Sequence, residues 1–92
     1  MRIDKFLKNS RIIKRRSVAK TAAETGRIKV NSKVAKPGTD VKIGDILEIE
    51  FGDNTVKFEV LKIIENTNKS NAEEMFRVIE DWNEKNKKIK NK

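Results

Sequence analysis

The 92-residue chain contains no cysteine, no histidine and no tyrosine, and only one proline and one tryptophan. Without cysteine there is no disulfide framework, no thiol nucleophile and no thiolate zinc site. Without histidine there is no imidazole base or His metal ligand, and the common catalytic triads cannot be built. Carboxylates and lysines remain, but Asp40, Asp45 and Asp53 sit in turn-like segments with no paired base or nucleophile, and turn roles explain them. A chain this short also has little room for a catalytic cleft. The expectation is a protein that is not an enzyme and carries no cofactor and no metal. No apolar run approaches the roughly 18 residues needed to span a membrane. The chain opens on Arg2-Ile3-Asp4-Lys5 and not on an apolar signal segment. A cytoplasmic protein with no membrane partner is expected.

What the chain has in quantity is positive charge, with 22 Lys and Arg against 14 Asp and Glu, a net charge of +8. The excess is concentrated at one end. Residues 1–36 hold 12 basic groups and two acids, Asp4 and Glu24, whereas residues 37–92 hold 10 bases and 12 acids. The first third is thus +10 and the remainder −2, which points to a polyanionic partner meeting one face.

Hydrophobic spacing divides the chain into elements. Ile3, Phe6 and Leu7 recur at helical intervals, and Ile12-Ile13 give a second apolar anchor. A second short helix follows, with Ser17 as its expected N-cap, a small-residue face of Val18, Ala19, Ala22 and Ala23, and Gly26 at its end. The period then changes to two. Arg27-Ile28-Lys29-Val30 reads as a strand, Asn31-Ser32 as a turn, and Lys33–Lys36 as a return. Pro37-Gly38 and Ile43-Gly44-Asp45 mark loops. Leu47, Ile49 and Phe51 alternate with glutamates. A connection at Gly52–Thr55 leads to Val56, Phe58 and Val60, with Leu61, Ile63 and Ile64 extending that strand. A capping-box pattern at Ser70 and Glu73, followed by Met75, Phe76, Ile79 and Trp82, predicts a C-terminal helix. Beyond Trp82 the chain is too polar to pack and is expected to fray. The fold class is α+β, with two short helices packed on a small antiparallel sheet plus that C-terminal helix. The boundaries are 1–65 for the domain and 66–92 for the helix and tail. All five aromatics, Phe6, Phe51, Phe58, Phe76 and Trp82, fall on apolar stripes and are assigned to the core, so no stacking platform for bases is expected.

The most informative stretch runs from Arg11 to Lys20. Lys14, Arg15 and Arg16 precede a helix and Lys20 lies in its first turns. Acids, not cations, are favoured at a helix N-terminus, so this arrangement is locally unfavourable unless an anion such as phosphate binds there. The competing explanation is that arginine stems cover apolar surface while their heads stay in water. Two packed helices would bring Arg2, Lys5, Arg11, Lys14, Arg15, Arg16 and Lys20 onto one surface, which Arg27 and Lys29 on the first strand would extend. Asp4 either orients a neighbouring arginine or serves as a helix-start residue. No helix carries the Asn, Gln and Arg mixture suited to base edges, and cations at helix ends suit phosphates and the shape of a folded RNA.

The ordered set Arg2–Leu7, Arg11, Lys14–Ala19, Gly26–Asn31 and Val41–Asp45 resembles the S-four RNA-binding domain (the alpha-L motif) over about residues 2–64. Ser32 departs from that pattern, since many members have glycine there. Over nearly the whole chain the sequence is most similar to the RqcP family of bacterial ribosome-associated quality control, and the helix expected around Met75–Trp82 favours that family over a bare domain. This resemblance implies binding to large ribosomal subunits that carry a stalled peptidyl-tRNA, with contacts to rRNA and tRNA that hold the tRNA in the peptidyl site. It implies an RqcH-type tailing factor as a partner and an RNA face of Arg2, Lys5, Arg11, Lys14, Arg15 and Arg16. A monomer is expected. The related heat-shock S-four proteins, which act on large subunits carrying nascent chains, offer the alternative. A module docking a partner helix through the 75/76/79/82 stripe is a different class of reading.

Overall fold

Ile3, Phe6 and Leu7 share one side of helix α1 (Ile3–Asn9), and all three are fully buried. The structure, a computed structural model, describes residues 1–83 and the side chains of residues 1–80. Helix α2 (Arg16–Glu24) buries Ala19 and Ala23 in the same core, where small side chains let the two helices approach closely. Ile13 in the connecting loop is also buried. Helix α2 begins earlier than its sequence indicates. Arg15, not Ser17, occupies the N-cap position, its backbone is extended, and no side chain caps the helix. At the far end Gly26 takes φ 79°. The Gly26 amide donates to Ala23 O and the Arg27 amide to Ala22 O, the paired bonds of a left-handed helix stop.

Five antiparallel strands form one sheet, β1 (Ile28–Val30), β2 (Lys33–Val34), β3 (Ile46–Phe51), β4 (Asn54–Val60) and β5 (Phe76–Asn83), in the order β2-β1-β3-β4-β5. Register puts Val30, Leu47 and Phe58 in one row and Ile28, Ile49 and Val56 in the next. Those rows face the helices and complete the core, with Ile28, Leu47, Ile49, Phe58 and Val60 buried. The opposite face carries Lys29, Glu48, Lys57 and Glu80 side by side across four strands. Lys57 lies 3.7 Å from both Glu48 and Glu80. Two-residue turns fix the hairpins. Gly52, at φ 59°, supplies the one left-handed residue of the Gly52-Asp53 turn. The Asn31-Ser32 turn needs two, and Asn31 (φ 51°) and Ser32 (φ 71°) supply them without a glycine. Asn31 fits because its side chain works there, accepting from the Ile46 amide and donating to Asp45.

The C-terminal region differs from its sequence reading. Residues 76–82 do not form a helix. A four-residue 3-10 turn, Ala72–Met75, leads directly into β5, which pairs with β4. Ser70 does not cap toward Glu73. Its hydroxyl and amide both donate to Asn68 Oδ1, and the Asn68 amide donates to Asn71 Oδ1, so the two asparagines close a turn. The false helical stripe has a physical source. Val78 pairs with Phe58 and Glu80 with Lys57, which leaves Ile79 as an extra residue in a β-bulge. One inserted residue turns an alternation of two into apolar spacings of three and four. Strand β4 also ends at Val60, so Leu61, Ile63 and Ile64 do not extend it, and the Leu61 amide donates to Met75 O. Phe6 and Phe58 are buried, and Phe58 meets Phe76 edge to face at 5.5 Å. Phe51, by contrast, is exposed at the end of β3. The Trp82 side chain and the tail from residue 84, expected in the core and frayed respectively, lie outside the described residues. Among the described residues no helix is long and apolar enough to cross a membrane.

Ser32 holds a backbone conformation that glycine adopts without steric cost. Ser32→Gly is expected to raise unfolding free energy by about 0.5–1 kcal/mol after the greater chain entropy of unfolded glycine is subtracted. Urea melts of the two proteins measure this, and a lower midpoint for the variant would contradict the turn geometry.

Candidate nucleic-acid interface

Helix packing sets the starts of α1 and α2 side by side, and Asp4 lies between them. Its side chain is only 3% exposed. It accepts hydrogen bonds from Arg2 Nε and Nη2, each at 3.2 Å, from Arg16 Nη2 at 3.4 Å, and from the Lys5 amide at 2.7 Å. Both alternatives read from the sequence therefore hold, since Asp4 stands in the first turn of α1 and also orients arginines. Burial pushes its carboxyl pKa up. The bonds from Arg2 and Arg16, the Arg16 charge and the Lys5 amide outweigh that push and hold it below its ordinary 3.8. The two arginine side chains keep about half their surface in water. They are fixed from below and open above, a geometry suited to accepting phosphate oxygens.

Arg15 and Lys20 extend this cluster. Arg15 is exposed at the N-cap of α2, and Lys20 lies one turn beyond Arg16 on the same side of the helix. The Val18 and Ala19 amides both donate to Arg15 O, the Arg16 and Ser17 amides meet no acceptor among the described residues, and no acid lies in the first turn. An anion at this helix start would satisfy both the free amides and the neighbouring cations.

The remaining residues expected at the site separate. Lys5 is bonded to Glu65, sixty residues away, and the ammonium beside Glu65 holds that carboxyl below the usual range. Arg11 and Lys14 line a cleft together with Lys8 and Thr67. Lys8 was not singled out in the sequence, where it is one lysine on a short helix. Arg27 lies beside α2, lining a shallow groove with Ser17, Val18 and Thr21. Lys29 stands in the row with Glu48 on the face of the sheet opposite the helices, so it does not extend the basic surface.

The family pattern described as "S4 domain" matches residues 1–47. A protein of Listeria monocytogenes named "RQC P-site tRNA stabilizing factor" is 53% identical over 81 residues, covering 88% of each chain. A protein of the same name from Bacillus subtilis is 44% identical over 88% of this chain and 94% of its own length. Among solved structures, the trimeric Heat Shock Protein 15 of Vibrio cholerae superposes with a TM-score of 0.79 at 29% identity, covering 85% of this chain and 80% of that one.

The depressed Asp4 pKa ties stability to pH. Above pH 3.8 the stabilisation is fully present, and it is lost as pH falls below 3.8 through the lower folded-state value. Asp4→Asn should cost about 1.5–3 kcal/mol at pH 7, the worth of charge-assisted hydrogen bonds. Urea melts across pH should show the gap between wild type and variant closing below pH 4. A gap that stays constant to pH 2 would remove Asp4 from this role.

Proposed function

This chain belongs to the S4-domain family and, within it, to the family of RQC P-site tRNA stabilizing factors, and from that premise we propose that it is a non-enzymatic RNA-binding factor of ribosome-associated quality control. It binds large ribosomal subunits that carry a stalled peptidyl-tRNA. It stabilises the tRNA in the peptidyl site and supports C-terminal alanine tailing by an RqcH-type partner in the cytoplasm. It acts as a monomer. The observation that carries the reading is the pair of arginines held over buried Asp4 beside the uncapped start of α2. Arg2 and Arg16 grip phosphate oxygens, Arg15 and Lys20 flank them, and Arg11 and Lys14 extend the contact past the end of α1. Lys5 contributes once RNA competes with Glu65, and Arg27 borders the face. Lys29, in a row of alternating charge, contributes little.

The grip works by charge and shape. Each phosphate contact releases counterions, so affinity falls steeply with salt. The fixed guanidinium pair adds direction, because Arg2 and Arg16 cannot both turn away while Asp4 is ionised. A second reading, a heat-shock-type S4 protein recycling large subunits that carry nascent chain-tRNA, is favoured by the fold likeness to Heat Shock Protein 15. Deleting the gene separates the two, since loss of alanine tails on stalled chains supports the tailing role and their persistence supports the second.

Arg15→Glu, at the exposed N-cap of α2 and outside the bonds to Asp4, should sharply weaken co-sedimentation with large ribosomal subunits while leaving the circular dichroism spectrum unchanged. A folded variant that still sediments with subunits as wild type does would show that the face is wrongly placed.

A further inference from the structure

Three cations that the Asp4 cluster leaves out converge at the other end of α1. Lys8 lies in the last turn of α1, Arg11 follows the helix, and Lys14 precedes α2. All three are exposed and line one open cleft, with Thr67 as its fourth wall. Among the described residues none of the three has a carboxylate within 4 Å, whereas Arg2, Arg16 and Lys5 each share one. The seven residues of α1 span about 10 Å, so the cleft and the Asp4 cluster are separate places.

The cleft is completed by chain outside the matched family pattern. Asn9, almost fully buried at the end of α1, donates from its side chain to Ile64 O at 3.2 Å and to Glu65 O at 2.9 Å. Thr67 donates its hydroxyl to Asn9 O at 2.7 Å. Residues 64–67 are thereby tied to the helix end, and Thr67 is held against the three cations. Arg11 adds a second observation. It sits at φ 62°, in the left-handed region, where its amide donates to Lys8 O. The end of α2 meets the same geometric demand with Gly26. An arginine gives up that easy solution, and such conflicts gather at functional sites. Complementing the negative end of α1 accounts for Lys8, but a glycine at position 11 would close the helix better.

We propose that Lys8, Arg11, Lys14 and Thr67 form a second phosphate-binding cleft, which takes a phosphodiester of the same RNA partner, so that the protein holds the RNA backbone at both ends of α1. The proposal deepens the RNA-binding reading and rests on it. The lysines and Arg11 supply charge, and Arg11 alone supplies a planar donor pair.

The test is the salt dependence of binding to purified large ribosomal subunits. The variant Lys8→Gln/Arg11→Asn/Lys14→Gln keeps the fold, since asparagine tolerates the left-handed region and the other two sites are exposed. Losing the one phosphate that the three cations share should make the slope of log affinity against log salt shallower by about 0.7–0.9. Arg11→Gly alone should melt higher than wild type yet bind more weakly, a combination that a merely structural residue would not give. Wild-type binding with an unchanged slope in the folded triple variant would overturn the cleft and leave the RNA-binding reading standing. Absence of wild-type binding would overturn both. Inorganic phosphate that shifts the Arg11 and Thr67 amide resonances as tightly as the subunit competes would reassign the cleft to a free anion and also overturn the proposal.

Discussion

A single buried carboxylate governs the arrangement of this protein's charge. Taking Asp4 out of water is unfavourable by several kcal/mol unless its oxygens are met by donors. They are met by two guanidinium groups from the starts of two different helices and by a backbone amide. The packing of α1 on α2 and the display of Arg2 and Arg16 are therefore not separable properties. Anything that moves one helix start moves a cation and strips a partner from a buried charge. The same contact also relieves a local misfit, because Asp4 supplies the negative charge that α2 lacks in its own first turn.

The sheet supplies the platform and the contrast. Its helix-facing rows are apolar, and its other face alternates lysine and glutamate across the strands. Such pairing contributes little stability at an exposed surface. Its effect is to cancel charge there and leave the excess on the helices. Two positions accept unfavourable backbone for different ends. Asn31 is repaid by hydrogen bonds that join the β1–β2 turn to the start of β3. Arg11 has no such return within the protein, and what it gains is placement.

The first sixty residues were largely legible in the sequence because their signals are local. Helical spacing at Ile3, Phe6 and Leu7, the stop at Gly26, and alternation around the Gly52 turn all act within a few residues of themselves. The helix start at Arg16 was hidden, since nothing in the stretch Lys14–Ser17 shows that its charge partner lies at Asp4. The C-terminal strand was hidden for two reasons. Its partner β4 is distant in sequence, with Val60 opposite Phe76, and the bulge at Ile79 makes a strand imitate a helix. In the site, the cationic composition of the face was readable, but its division was not. The capture of Lys5 by Glu65 and the approach of Thr67 to Asn9 depend on how the chain returns after β4. Lys8 had no local signal at all.

The cancelled charge on the outer face of the sheet has a kinetic consequence. With +10 on the first 36 residues and −6 on residues 37–83, the described part of the molecule is a strongly asymmetric charge body. In the field outside a polyanion such a body feels a torque as well as a pull. It turns helices-first before any contact forms, so a larger share of collisions begins in a productive orientation. Without Glu48 and Glu80 in that row, Lys29 and Lys57 would leave positive charge on the far face and weaken this preference for one orientation.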